Sequence, residues 1–378
     1  MAMAVVRLAT LDAGAQMLFF GHRGESRDAP ENTLAAFNLA LSRGDDGFEC
    51  DIYLSRDKHI VCIHDPTTSR TTGNVANLNV TNSTLAELRA LDVGSWKSPA
   101  YAGEKIPTIE EILSLAQDGR TILIEIKQAA SSGIVPFIKS AIDAEPKATP
   151  QRIVFISFDT TSVFAIRAAL PDYEAYWLSY YSSYANNVSG LVDLLKSMNA
   201  SGFDGRYDEN SITNGMVESL HQAGFSTHVW TVDGANQALT CYNTGVKSLT
   251  SNCARDMMDN VYGAQVSSAW LDNYPGLLSA HTNNYLATAM AKTRKYDETG
   301  REMTVWEDFA AGTCPTNAAS RFRVLFEQGV RGAILHWEPD LASERRYTIW
   351  GKSDLRDVAW ITPTNNNSRF YRVSVSLP

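Results

Sequence analysis

Between residues 17 and 252 the chain repeats one kind of unit, a short apolar run that ends in polar residues and is followed by a helix-like segment. The runs are MLFFG (17–21), GFECDIYL (47–54), TILIEIK (121–127), RIVFISFD (152–159), YEAYWLSYY (173–181), GFDGRYD (202–208), STHVWTVD (226–233) and VKSLTSN (246–252). Eight strand-like runs alternating with helices predict a parallel sheet closed into a (β/α)8, or TIM, barrel. In that architecture reactive side chains gather at the C-terminal ends of the strands. The polar residues that close each run are therefore where chemistry is to be sought.

The first units read in more detail. After Pro30-Glu31-Asn32-Thr33, the positions Leu34, Phe37, Ala40 and Leu41 recur at helical spacing, and Gly44 closes the segment. In 47–54, Phe48, Cys50, Ile52 and Leu54 alternate with Glu49, Asp51 and Tyr53, so the two acids project from one face of the strand. Residues 66–105 break the rhythm and predict a small insertion with one helix, Thr84 to Leu91, lying over the site.

A barrel uses roughly 250 residues, and the chain has 378. The excess predicts a second module, dividing the chain into 1–262 and 263–378, with a helical lead-in over 264–322. A mostly-β, sandwich-like part over 323–378 follows, from the alternating AILHWEPDL, RRYTIWGK and RFYRVSVSLP. A net charge of −9 argues against nucleic acid or an anionic membrane as the main partner. No apolar run reaches the ~18–20 residues of a membrane span, so no transmembrane segment is expected. Five cysteines without a CxxC indicate neither a disulfide framework nor a zinc ribbon. Residues 1–16 lack the basic-then-apolar pattern of a signal peptide.

Glu49, Asp51 and Glu125 offer three carboxylates to a hard divalent cation, Ca²⁺ or Mg²⁺. Such a cation neutralises phosphate oxygens. His22 and His64, both at strand ends, are the candidates for acid–base work near neutral pH. Arg23 and Lys127 would add positive charge for a phosphate. Phe158 and Trp230, also at strand ends, would wall the site against a glycerol or head group. His59, His221, His228, His281 and His336 are read as structural.

The ordered set GHRG (21–24), PENT (30–33), FECDIYLSRD (48–57), IHDPTTSRTTG (63–73), IPTIEEIL (106–113), IEIK (124–127) and HQAGFSTHVWTVD (221–233) resembles the glycerophosphodiester phosphodiesterase family over about 17–260. The resemblance implies a TIM barrel with an insertion after the second strand. It implies metal-dependent hydrolysis of a small-molecule glycerophosphodiester to glycerol 3-phosphate and an alcohol. By the same resemblance the cation sits on Glu49, Asp51 and Glu125, and His22 and His64 are the catalytic pair. Lysophospholipase D-like or cyclising activity on the same scaffold, and a non-catalytic surface-binding protein, are the alternatives.

One departure stands out. The family closes its last strand with a Thr-Asp-x-Pro-like motif, whereas this chain has SLTSNCARDM (248–257), with Asn252 and no proline. In the tail, 297–322 resembles degenerate aspartate-rich calcium repeats, with Asp297 and Glu298 as weak ligand candidates, and 323–378 resembles a β-sandwich module of secreted bacterial proteins. That second resemblance implies an extracellular or periplasmic location and a module that contacts a cell surface or a polymer.

Overall fold

The structure, a computed structural model, describes residues 17–264 apart from 118 and 209. It also describes strands at 4–8, 292–296, 302–304, 323–329, 332–338, 346–352 and 370–376, and residues 274, 280 and 289. Two compact units result, Met17–Met258 and Met1–Gln16 together with Asp259–Pro378.

In the second unit β1 (Ala4–Leu8) runs parallel to the last strand of the chain. In the first unit the strands are β2 (Leu18–Gly21), β3 (Gly47–Leu54), β4 (Ile60–Cys62), β5 (Thr121–Ile126), β6 (Ile153–Ser157), β7 (Glu174–Tyr180), β8 (Gly202–Arg206), β9 (Ser226–Trp230) and β10 (Ser248–Ser251). Their order is β2-β10-β9-β8-β7-β6-β5-β3-β4, and pairing of β2 with β3 closes the ring. Apart from β4, every neighbour in that ring runs parallel. The eight-stranded barrel expected from the repeat is what forms.

Strand β4 was not separated from β3 in the sequence. It returns antiparallel, with Ile52 opposite Cys62 and Leu54 opposite Ile60, because Lys58 adopts φ 69° and turns the chain after Asp57. The apolar alternation continues through IVCI, so the pattern alone does not mark the turn.

Inward-facing Phe20, Leu123, Val154, Ile156, Tyr176 and Leu178 pack as one cluster that fills the barrel. Helices cover its outside. The helix Leu34–Arg43 is capped by Thr33, whose side chain accepts from Ala36 N–H, and ends at Gly44 with φ 87°. Gly47 brings β3 against β5: a Cβ there would lie 1.7 Å from the Thr121 carbonyl oxygen. No larger residue fits.

The insertion carries the predicted helix, Leu85–Ala90, with Thr84 and Glu87 forming a capping box, and adds three short 3-10 turns. It has its own small core of Val61, Ile63, Val80, Leu88, Val93 and Ile106 around Tyr53. Lys97 Nζ donates to the Ser26 carbonyl at 2.8 Å and Tyr101 Oη to that of Asp28 at 3.1 Å. These bonds tie the insertion to the loop that follows β2.

The tail strands are β11 (Lys292–Tyr296), β12 (Glu302–Thr304), β13 (Arg323–Gly329), β14 (Gly332–Glu338), β15 (Arg346–Lys352) and β16 (Phe370–Ser376). They pair antiparallel as β11–β12, β13–β14 and β15–β16. Most of the expected helical lead-in, Asp297 and Glu298 among it, lies outside the described residues.

Candidate active site

The C-terminal ends of β2, β3 and β5 bring together the two acids of one strand, the acid of IEIK and the residues after Gly21. Glu49 and Asp51 are 2% and 1% exposed, and Glu125 is buried with them. One carboxylate oxygen from each lies within 4.8 Å of the others. Glu49 Oε1 and Asp51 Oδ1 are buried and accept no hydrogen bond. Buried carboxylate oxygens left without a hydrogen bond are costly. A divalent cation held by these three residues would remove that cost, so the donor set fits one.

Two cations stand at the same site. Arg23 Nη1 donates to Glu31 Oε1 at 2.9 Å, and its Nε is 3.5 Å from Asp51 Oδ2. Lys127 Nζ donates to Glu125 Oε1 at 2.7 Å and lies 3.4 Å from Asp51 Oδ1. Arg23 holds φ 56°, in the left-handed region, and its own N–H donates to Glu49 Oε2, 2.9 Å away. That bond fixes the position of the Glu49 carboxylate.

The electrostatics follow from crowding. Burial, reinforced by the charges of Asp51 and Glu125, pushes the Glu49 carboxyl well above its ordinary range. Burial and Asp51 raise Glu125 to about 8, against the pull of Lys127. Burial opposes ionisation of Asp51 too, but Lys127, Arg23, His64 and the Asn32 hydrogen bond outweigh it and hold this carboxylate low. Asn32 Nδ2 donates to Asp51 Oδ2 at 2.7 Å and its Oδ1 accepts from Asp51 N–H at 3.1 Å. Three carboxylates against Arg23 and Lys127 give −1 when all are ionised. A divalent cation would make the cluster +1, the sign that attracts a phosphodiester.

His22 lies just past β2 with Nε2 4.0 Å from Glu49 Oε2. Its Nδ1 is 2.8 Å from Asn252 Oδ1. Burial, with the neighbouring Arg23 charge, lowers His22 to about 4, so the imidazole is neutral at pH 7. His64 Nδ1 is 2.8 Å from Asp65 Oδ1. Asp65 in turn accepts from Arg70 Nε at 2.8 Å, and Arg70 also grips both oxygens of Glu31, at 2.5 and 2.8 Å. Both rings are thus tethered through Nδ1, which leaves each Nε2 for chemistry.

Phe158 and Trp230 sit on the other side of the mouth. Their ring centroids are 5.6 Å apart, edge to face, and Phe158 is 44% exposed. The sequence reading missed the residues that orient the histidines: Asn252, Asp233, Asp65, Arg70 and Glu31. Asp65 was legible as the neighbour of His64, and Asn252 was noticed only as a departure.

The profile of the glycerophosphoryl diester phosphodiesterase family matches residues 22–254. The chain belongs to this family. Residues 22–254 of this family member span His22 through the loop after β10. It is 46% identical over 111 residues to the Bacillus subtilis protein YhdW, covering 29% of this chain and 45% of that one. It is 35% identical over 156 residues to the glycerophosphodiester phosphodiesterase of Caldanaerobacter subterraneus, covering 41% of this chain and 63% of the relative. In both cases the phosphodiesterase-family match spans less than two thirds of the relative's length. Among solved structures, an Oleispira antarctica phosphodiesterase in complex with the product sn-glycerol-3-phosphate superposes with a TM-score of 0.58 at 26% identity, covering 66% of this chain and 98% of that one.

Proposed function

We propose that the barrel hydrolyses glycerophosphodiesters to glycerol 3-phosphate and an alcohol, using one divalent cation, Ca²⁺ or Mg²⁺. The observation that carries this reading is a pair of buried carboxylate oxygens that accept no hydrogen bond, Glu49 Oε1 and Asp51 Oδ1, set beside two histidines each tethered through Nδ1. Family membership and the product found in the Oleispira relative support the same substrate class. Bound to Glu49, Asp51 and Glu125, the cation would supply positive charge to the non-bridging phosphate oxygens. Arg23 and Lys127 add to that charge and orient the phosphate. One imidazole Nε2 takes a proton from the attacking water, and the other returns a proton to the departing alcohol oxygen. Phe158 and Trp230 wall the substrate's organic part.

The same reading extends to the rest of the chain. The boundaries 1–262 for the catalytic barrel and 263–378 for an accessory module are proposed with it. So are a sandwich-like tail of the kind carried by secreted bacterial proteins, an extracellular or periplasmic location, and attachment of the tail to a surface or polymer. The alternating strands of the tail support the sandwich-like module.

The test is to incubate the protein and a divalent cation with glycerophosphoethanolamine, glycerophosphoglycerol and a lysophospholipid and to follow products by phosphorus NMR. Glycerol 3-phosphate from the first two is expected. A cyclic phosphate, or turnover of the lysophospholipid alone, would replace the proposal with the cyclising or lysophospholipase D-like activity.

A further inference from the structure

Three consecutive strands end in polar-aromatic side chains at the same level of the barrel mouth. Tyr180 of β7, Arg206 of β8 and Trp230 of β9 are register partners, Tyr180 with Arg206 and Arg206 with Trp230. The Arg206 guanidinium carbon lies 6.0 Å from the centre of the Tyr180 ring. The Tyr180 and Trp230 centroids are 6.3 Å apart, Phe158 follows at 5.6 Å from Trp230, and Tyr180 is 43% exposed. The rings make a continuous wall with one cation in it.

Arg206 differs from the other cations of the mouth. Arg23 is matched to Glu31 and Asp51, Lys127 to Asp51 and Glu125, and Arg70 to Glu31 and Asp65. Arg206 forms no ion pair among the described residues and is exposed. Of the described acids near it, Asp204 is buried, Asp208 accepts from Asn210 N–H, and Asp233, at the end of the neighbouring strand, accepts from Ser251 and Asn252. Its charge is therefore available.

Position decides what that charge would meet. In the ring order β8 lies four strands from β3 in either direction, diametrically opposite Glu49 and Asp51. A phosphate held beside the acids sends one half of its diester across the mouth, over Phe158 and Trp230, toward Arg206. An aromatic wall alone would suit a quaternary ammonium, but a guanidinium stacked on the same wall repels one. We propose that Arg206, held against Tyr180, forms a subsite for an anionic group carried on the alcohol half of the substrate. This proposal rests on the phosphodiesterase reading above.

The experiment compares three diesters, glycerophosphoglycerol, the same compound with a terminal phosphate on its leaving glycerol, and glycerophosphocholine. The wild-type protein is expected to favour the phosphorylated diester over glycerophosphoglycerol by about fivefold in kcat/KM, the scale of an exposed ion pair. That preference should shrink in 0.5 M salt through screening. Arg206→Gln should bring the ratio to about one through a higher KM for the phosphorylated diester, and Arg206→Lys should keep part of it. A wild-type ratio of one, a ratio unchanged in Arg206→Gln, or an equal loss on all three diesters in that variant would overturn the subsite. Absence of wild-type turnover on all three would instead remove the phosphodiesterase reading, and the subsite with it.

Discussion

Asn252 Oδ1 accepts the Nδ1 proton of His22 at 2.8 Å, and Asp233 dictates which way Asn252 faces. Asn252 Nδ2 donates to Asp233 Oδ2 at 2.6 Å and Asn252 N–H to Asp233 Oδ1 at 2.8 Å. The amide oxygen is thereby turned toward His22, where it also accepts from Ser26 Oγ. An acceptor at Nδ1 requires a proton there, so the neutral ring keeps its lone pair on Nε2, facing the carboxylate cluster. The Asn252 that departs from the family pattern still does the orienting work of an acceptor.

Replacing Asn252 with Leu removes that acceptor and frees the ring to rotate or change tautomer. A fall in kcat of ten- to a hundredfold is expected, the range seen when an orienting partner of a functional histidine is lost, with KM little changed. Asn252→Asp retains an acceptor for Nδ1 but sets a carboxylate against Asp233 in place of the Nδ2 donor, so it should lose less than Asn252→Leu while staying below wild type. Steady-state kinetics on glycerophosphoethanolamine reads both. Equal losses in the two variants would contradict the orienting role.

His22→Ala and His64→Ala each remove a proton-transfer group, so each should lower kcat by about 10²–10⁴-fold. Asp65→Ala should cost less, because it loosens His64 and takes one of Arg70's two carboxylate partners without removing the imidazole. If either alanine variant at a histidine turned over at the wild-type rate, the pairing of the two rings in catalysis would be wrong.

Glu49→Gln takes away one of three anionic donors while leaving the fold's packing nearly isosteric. The concentration of Mg²⁺ or Ca²⁺ needed for half-maximal activity should rise by at least tenfold, with recovery in excess ion. Calorimetric titration of the cation into the resting protein gives the same comparison without substrate. Unchanged affinity would exclude Glu49 as a ligand.

Asp204 offers a stability prediction independent of the catalytic cluster. It is buried on β8, its Oδ1 has no hydrogen-bond partner, and burial raises its pKa to about 8. The folded protein therefore binds this proton between about pH 4 and pH 8 while the unfolded chain has lost it. Stability from this group is complete below the unfolded pKa and declines as pH rises toward 8, by about 1.4 kcal/mol per pH unit at most. Asp204→Asn should flatten that decline and melt higher than wild type at pH 8. Denaturant melts of both proteins from pH 5 to 8 check it, and parallel slopes would contradict the assignment.

The barrel was legible because its strands are short, largely apolar runs with a fixed alternation and polar ends, a pattern that survives without tertiary information. The acids of 47–54 were legible for the same reason, since a two-residue period fixes which side chains share a face. Strand β4 was hidden because a turn at Lys58 interrupts an alternation that looks continuous. The orienting residues were hidden by distance along the chain, 230 residues separating His22 from Asn252. Pairing of β1 with β16 likewise joins opposite ends of the sequence. Local pattern reports local structure, and barrel closure is what brings β10 beside β2.

The most direct measurement is release of glycerol 3-phosphate from glycerophosphoethanolamine by protein stripped of metal with a chelator, before and after a divalent cation is returned. The carboxylate cluster of Glu49, Asp51 and Glu125 predicts no product from the stripped protein and full recovery with Mg²⁺ or Ca²⁺. Equal turnover with and without the cation would contradict the metal site, and no turnover with any divalent cation would contradict the phosphodiesterase itself.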